Sequence, residues 1–244
     1  MPCGARSPET PGTRAGACPC STRNHVSFWW LLRLQHGLLY FSVRECSEKT
    51  MPNGDYEYDV FLSYRRDRLV LEWIVEVEQR LKFWLSQELG GNEARIFVDQ
   101  DCIEIGDRWP DRLRAAVRSS RCMVGIWSPR YFQSAWCISE WQSFRAREQR
   151  LGLDIYGLIA PVRFHDGEHF PQEAADVQCA DFSEYTSTIP AFWQSQRAVE
   201  FEGPLRAFAR SVATIIRRTP PFQADWPVVE AQPIIRPIVE LRRL

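Results

Sequence analysis

Tyr58-Asp-Val-Phe-Leu-Ser-Tyr-Arg-Arg66 is a run of strand formers that stops abruptly at two arginines. An apolar run this short reads as a strand covered on both faces, with its carboxyl end at a polar surface. Similar runs recur at Arg95-Ile-Phe-Val98, Cys122-Met-Val-Gly-Ile-Trp127, Ile155 to Phe164 and, more weakly, Val177 to Phe182. The segments between them have helical periodicity. Leu69 to Leu89 places Trp73, Val77, Leu81, Trp84 and Leu85 on one stripe before Gly90-Gly91-Asn92, a helix stop. Trp109 to Val117 carries Pro110 in its first turn, and Gly203 to Arg217 forms a closing helix. Strands alternating with helices predict an α/β fold, a flavodoxin-like doubly wound five-stranded parallel sheet over residues 56–217.

Two flanking segments fall outside that pattern. Residues 1–50 are expected to be a flexible extension outside the core, and Met51, just before the first strand, is a candidate native start. Residues 219–244 hold five prolines, too many for a continuous helix, yet they are too apolar for a solvated tail. An extended segment docked on its own domain or on a partner is the expectation.

Composition narrows the function classes. The net charge of −1 gives no basic excess for nucleic acid or an anionic membrane surface. Phe28 to Phe41 is interrupted by Arg33, Gln35 and His36, which leaves it too short and polar to span a bilayer. The eight cysteines contain no CxxC pair, which fits reduced thiols in a cytoplasmic protein. Cys18, Cys20 and His25 match no zinc spacing, and His165 and His169 are separated by Gly167, so no metal is expected.

Ligands of open parallel sheets sit beyond the carboxyl ends of the strands. Here those ends carry Ser63 to Arg66, Asp99 to Asp101, Ser128-Pro129 and the helix that starts near Ser134. In that helix Trp136, Cys137, Trp141 and Phe144 share one stripe, with Glu140 in the middle. A carboxylate on an apolar stripe loses hydration and needs a partner. From the helix alone, a structural ion pair explains Glu140 as well as a functional role does. No GxGxxG or GxxxxGK[ST] occurs, which leaves out the Rossmann and P-loop fingerprints. Tyr64-Arg65 and Trp127 stand where a phospho-accepting response regulator would need acids.

Three segments, Tyr58 to Arg66, Ile96-Phe-Val-Asp-Gln-Asp-Cys-Ile-Glu-Ile-Gly106 and Trp127-Ser-Pro-Arg-Tyr-Phe-Gln-Ser-Ala-Trp-Cys-Ile-Ser-Glu140, resemble successive boxes of the Toll/interleukin receptor (TIR) domain. The likeness covers about residues 56–217 and is strongest to bacterial and plant members. It implies that Glu140 is the catalytic residue of an NAD⁺ glycohydrolase, with NAD⁺ as substrate and no separate cofactor. It also implies that Ser63, Tyr64, Arg65 and Arg66 border the dinucleotide, that Asp101 assists binding and that Trp136 offers an aromatic face. The Asp99 to Arg108 segment would be the BB loop used for self-association, and a separate sensor protein is a possible further partner. The expected product is nicotinamide with ADP-ribose or a cyclic isomer, in a bacterial defence or immune effector activated by assembly. The alternative is a non-enzymatic TIR–TIR interaction module or host-signalling mimic.

Overall fold

The computed structural model describes residues 55–98, 109–152, 157–175 and 177–232. Its five strands are β1 (Tyr58–Tyr64), β2 (Ile96–Val98), β3 (Ser120–Trp127), β4 (Ile159–Arg163) and β5 (Ala180–Asp181). All pairings are parallel, in the order β2-β1-β3-β4-β5. This is the doubly wound, flavodoxin-like order expected from the alternation of apolar runs and helices.

Alternation along β1 divides the core in two. Val60, Leu62 and Tyr64 face α1 (Leu71–Glu88) and α5 (Gln196–Arg218). Phe61 faces the opposite layer, built by α2 (Trp109–Ser119) and α3 (Ala135–Leu151). Gly90 and Gly91, at φ 76° and 86°, turn the chain out of α1 through a left-handed pair that a Cβ would strain.

Three elements depart from their sequence expectations. β4 begins at Ile159 rather than Ile155; residues 153–156 lie outside the described set. β5 spans two residues instead of Val177 to Phe182, since only Ala180 and Asp181 pair with β4 and Val177 is exposed. A short turn of helix, α4 (Gln172–Ala175), and a 3₁₀ turn at Ser183–Tyr185 crowd this edge strand from both ends. α5 starts at Gln196, seven residues before Gly203, and carries Pro204 inside it. Packing extends the helix back beyond the Gly203-Pro204 pair at which its start was expected. Phe201 is fully buried and meets Phe182 at 4.8 Å and Tyr185 at 5.0 Å, which holds the first turns against the sheet.

After α5, residues 219–232 run as a strap against β1, α2 and α3. Tyr56 Oη donates to Pro220 O at 3.0 Å and accepts from Trp226 Nε1 at 3.2 Å. Val229 N donates to Ser143 Oγ at 2.8 Å, and Glu230 pairs with Arg114. Under the strap, Arg147 is wholly buried. Its guanidinium donates to Ser120 O (2.8 Å) and Val117 O (2.9 Å) and lies between Phe144 (4.6 Å) and Trp226 (5.0 Å). It thereby caps carbonyls at the end of α2, which favour a cation. Burial pulls its pKa down to about 10. Residues 233–244 of the predicted tail, and the 1–50 extension, lie outside the described residues.

Candidate functional site

Glu140 is positioned by a helix whose start is set locally. Ser134 is the N-cap of α3, at φ −102° and ψ 117°, and its Oγ accepts from Cys137 N at 3.4 Å. One turn later Glu140 points inward, only 8% exposed. Its Oε2 accepts a hydrogen bond from Ser63 Oγ at 2.5 Å. Ser63 is the sixth residue of β1 and lies opposite Gly125 of β3, where any larger side chain would meet the Trp127 indole.

A second buried hydroxyl completes this cluster. Tyr131 Oη lies 2.8 Å from Ser63 Oγ and 3.1 Å from Cys137 O. With the Ser63 proton directed at Glu140, Tyr131 shares its single proton between Ser63 and the Cys137 carbonyl. Burial raises the Tyr131 phenol well above its usual range, and the neighbouring Cys137 and Glu140 add to the effect. Burial, with Glu140 second, pushes the Cys137 thiol up to about 12. Both groups remain protonated at neutral pH, so the hydroxyl cluster supplies hydrogen bonds rather than charge.

A cavity of about 260 Å³ lies next to this cluster, over the point where the chain leaves β1 for one face of the sheet and β3 for the other. Such switch points are the usual binding crevices of open α/β sheets. Val70, Ile74, Ile126 and Phe164 give it apolar walls, with Arg65, Asp67, Arg130 and His165 among the polar lining groups. The volume suits one end of a dinucleotide, since pockets for drug-sized ligands begin at about 300 Å³.

The predicted site residues separate into two groups. Ser63 reaches Glu140, whereas Tyr64 and Arg65 line the cavity. Successive residues of a strand face opposite ways, so Ser63 serves the α3 side and Tyr64 the α1 side. Glu140 is therefore not a lining residue of that cavity. Arg66 is exposed and lies outside the lining. Trp136 is half-buried against the α2–α3 core, and Trp141 is buried within an aromatic cluster 5.8 Å from Trp127. Asp101 and the Asp99 to Arg108 loop lie outside the described residues. Tyr131, Asp67, Arg130 and Phe164 were not singled out by sequence, and His165 was weighed only as a metal ligand. Only Tyr131 carried a usable signal, as an aromatic hydroxyl within the Ser-Pro-Arg-Tyr-Phe segment between β3 and α3. Among the described residues no three His, Cys, Asp or Glu side chains cluster as metal ligands would, and no helix is long and apolar enough to cross a membrane.

Residues 60–192, more than half of the chain, match the TIR domain family. The chain belongs to the TIR domain family. A probable 2′ cyclic ADP-D-ribose synthase, BdTIR, of Brachypodium distachyon is 29% identical over 87 residues, which are 36% of this chain. The match spans only about a third of that relative's length, 35%. Among solved structures, the TIR domain of the Toll-related receptor TRR-2 of Hydra magnipapillata is 19% identical, with a TM-score of 0.37 over 60% of this chain and 98% of its own. The TIR domains of the activated Roq1 resistosome, which directly recognises the pathogen effector XopQ, are 18% identical, with a TM-score of 0.31 over 66% and 84%. Within this TIR domain, the Glu140–Ser63 pair lies at the carboxyl end of the inner strand β1.

Proposed function

We propose that this TIR domain cleaves the nicotinamide–ribose bond of NAD⁺, with Glu140 as the catalytic residue. The observation that carries the reading is the buried Glu140 carboxylate held by Ser63 at the end of β1. The name of the Brachypodium relative, a cyclic ADP-ribose synthase, points to the same substrate class.

Cleavage of this bond passes through an oxocarbenium-like ribose. Nicotinamide departs as a neutral molecule from a cationic ring, so its departure needs no general acid. A carboxylate of restricted hydration then stabilises positive charge developing at the anomeric carbon and holds the ribose hydroxyls. In this scheme Ser63 fixes the carboxylate, Tyr64 and Arg65 border the dinucleotide, Trp136 offers its ring and Asp101 assists binding. Arg65 suits the pyrophosphate through its planar donors. Nicotinamide leaves with the electron pair of the broken bond; water then adds to the anomeric carbon and loses a proton to give ADP-ribose, or a nucleophilic atom of the same molecule adds there to give a cyclic isomer. The setting we infer is a cytoplasmic bacterial defence effector, assembled through the Asp99 to Arg108 loop or through a sensor partner.

A second reading, a non-enzymatic TIR–TIR interaction module, is favoured by one observation: Glu140 does not line the adjacent cavity. Incubation of concentrated protein with NAD⁺, wild type beside Glu140→Ala and Glu140→Gln, separates the two. Chromatography should detect nicotinamide from the wild type and a loss of about 100-fold or more in both variants. Equal turnover in all three removes the mechanism; no turnover even in assembled protein favours the interaction module.

A further inference from the structure

The cavity is bridged by an ion pair that the catalytic reading leaves unused. Arg130 Nη1 contacts Asp67 Oδ2 across it. Asp67 belongs to the loop between β1 and α1, and Arg130 to the turn between β3 and α3. The two walls of the switch-point crevice are thus joined by a single contact through one of the five guanidinium donors. The Arg130 side chain is 73% exposed. A pair of this kind is worth little in water, about 0–1 kcal/mol.

Arg65 lines the same cavity and, among the described residues, has no hydrogen-bond or ion-pair partner. Two guanidinium groups therefore flank an apolar floor of Val70, Ile74, Ile126 and Phe164. Guanidinium forks recognise phosphate oxygens, and an apolar floor accepts a flat ring. Asp67 is the one carboxylate among the described lining residues. It neutralises Arg130 while the crevice is empty and repels any phosphate that enters.

We propose that Arg130 is a phosphate-binding residue of this crevice, masked by Asp67, and that a nucleotide diphosphate opens the pair by displacing the aspartate. The proposal rests on the reading that the crevice takes a phosphate-bearing nucleotide. It makes a prediction that a purely structural ion pair does not: substitutions at its two ends act in opposite directions. A bidentate phosphate contact exceeds the single exposed one it replaces, so exchange is favourable.

The test uses the full chain carrying Glu140→Gln, which removes the proposed catalytic carboxylate, with ADP-ribose, a product that is not turned over, as probe in titration calorimetry. Arg130→Gln should weaken binding by about tenfold or more, the loss of a charged hydrogen bond. Asp67→Asn should tighten binding by about threefold or more, through loss of a like charge beside the phosphates. Asn keeps the acceptor that Leu69 N uses at Asp67 Oδ1, 3.2 Å away, so the loop is preserved. Equal weakening by both substitutions, no change in either, or no ADP-ribose binding to the Glu140→Gln chain overturns the proposal. Nicotinamide release is read separately. Turnover by wild type that is indifferent to Arg130 refutes the masked arginine alone; Arg130-dependent binding without turnover refutes the enzymatic reading alone.

Discussion

Ser63 Oγ and Glu140 Oε2 are 2.5 Å apart although 77 residues separate them, and this contact joins β1 to α3. The Ser63 hydroxyl thereby fixes the direction of the carboxylate. An acid intended only for stability would be served better by an apolar replacement of similar volume.

Removal of the Ser63 hydroxyl should separate positioning from folding. Ser63→Ala leaves Glu140 and Tyr131 each short of one partner, at a cost of about 1–3 kcal/mol. Calorimetry should show a thermal midpoint lower by about 4–8 °C. Nicotinamide release should fall about tenfold or more at temperatures where both proteins are fully folded. Ser63→Thr retains the hydroxyl and should recover part of that rate.

Trp226 should matter to stability more than its place in an irregular strap suggests. It is 1% exposed and covers the buried Arg147 guanidinium. Trp226→Ala should cost about 3–5 kcal/mol, read as a lower urea midpoint. Trp226→Phe keeps a ring over Arg147 and should cost less. A midpoint unchanged in Trp226→Ala would mean that the strap contributes nothing to the fold.

Alkali should weaken the fold through its buried acids. The Cys137 thiol is pushed up to about 12 by burial, and Cys122 is raised in the same direction by the same cause. A thiol in the unfolded chain ionises near 8.5. The folded state therefore keeps protons that the unfolded state has lost, and stability is complete below about pH 8.5 and declines toward pH 12. Each buried thiol contributes a slope of up to about 1.4 kcal/mol per pH unit. Denaturant midpoints measured from pH 8 to 11 should decline, and Cys122→Ala or Cys137→Ala should flatten the decline.

Activity, if it depends on assembly as proposed, should rise with protein concentration. Specific activity for nicotinamide release should increase across a dilution series spanning about two decades and in the presence of crowding agents. A specific activity that is constant over that range would remove assembly from the scheme.

The legible part of this fold is the part set by short-range patterning. β1, the Ser134 cap and the inward stripe of α3, with Glu140 among its buried residues, all follow from periodicity and capping chemistry. The start of α5 was not legible, because Phe201 is held by aromatic neighbours distant in sequence while the local Gly203-Pro204 suits a first helical turn. The contacts at the candidate site are long-range for the same reason. Arg130 and Asp67 are 63 residues apart, and nothing in either segment announces the other. Strand parity did predict that Ser63 and Tyr64 diverge. Grouping them as one border with Arg65 and Arg66 overlooked it, so the separation of Glu140 from the cavity emerged only in three dimensions.

The family match ends at residue 192, whereas α5 begins at Gln196. That helix supplies Phe201, Leu205, Val212 and Ile216 to the core shared with α1. A recombinant fragment trimmed to the matched region would strip α5 from the layer it shares with α1, presenting an apolar surface to water. Such a fragment is a poor reagent for any biochemical assay, and the boundary for expression belongs beyond Trp226, where the indole closes over Arg147.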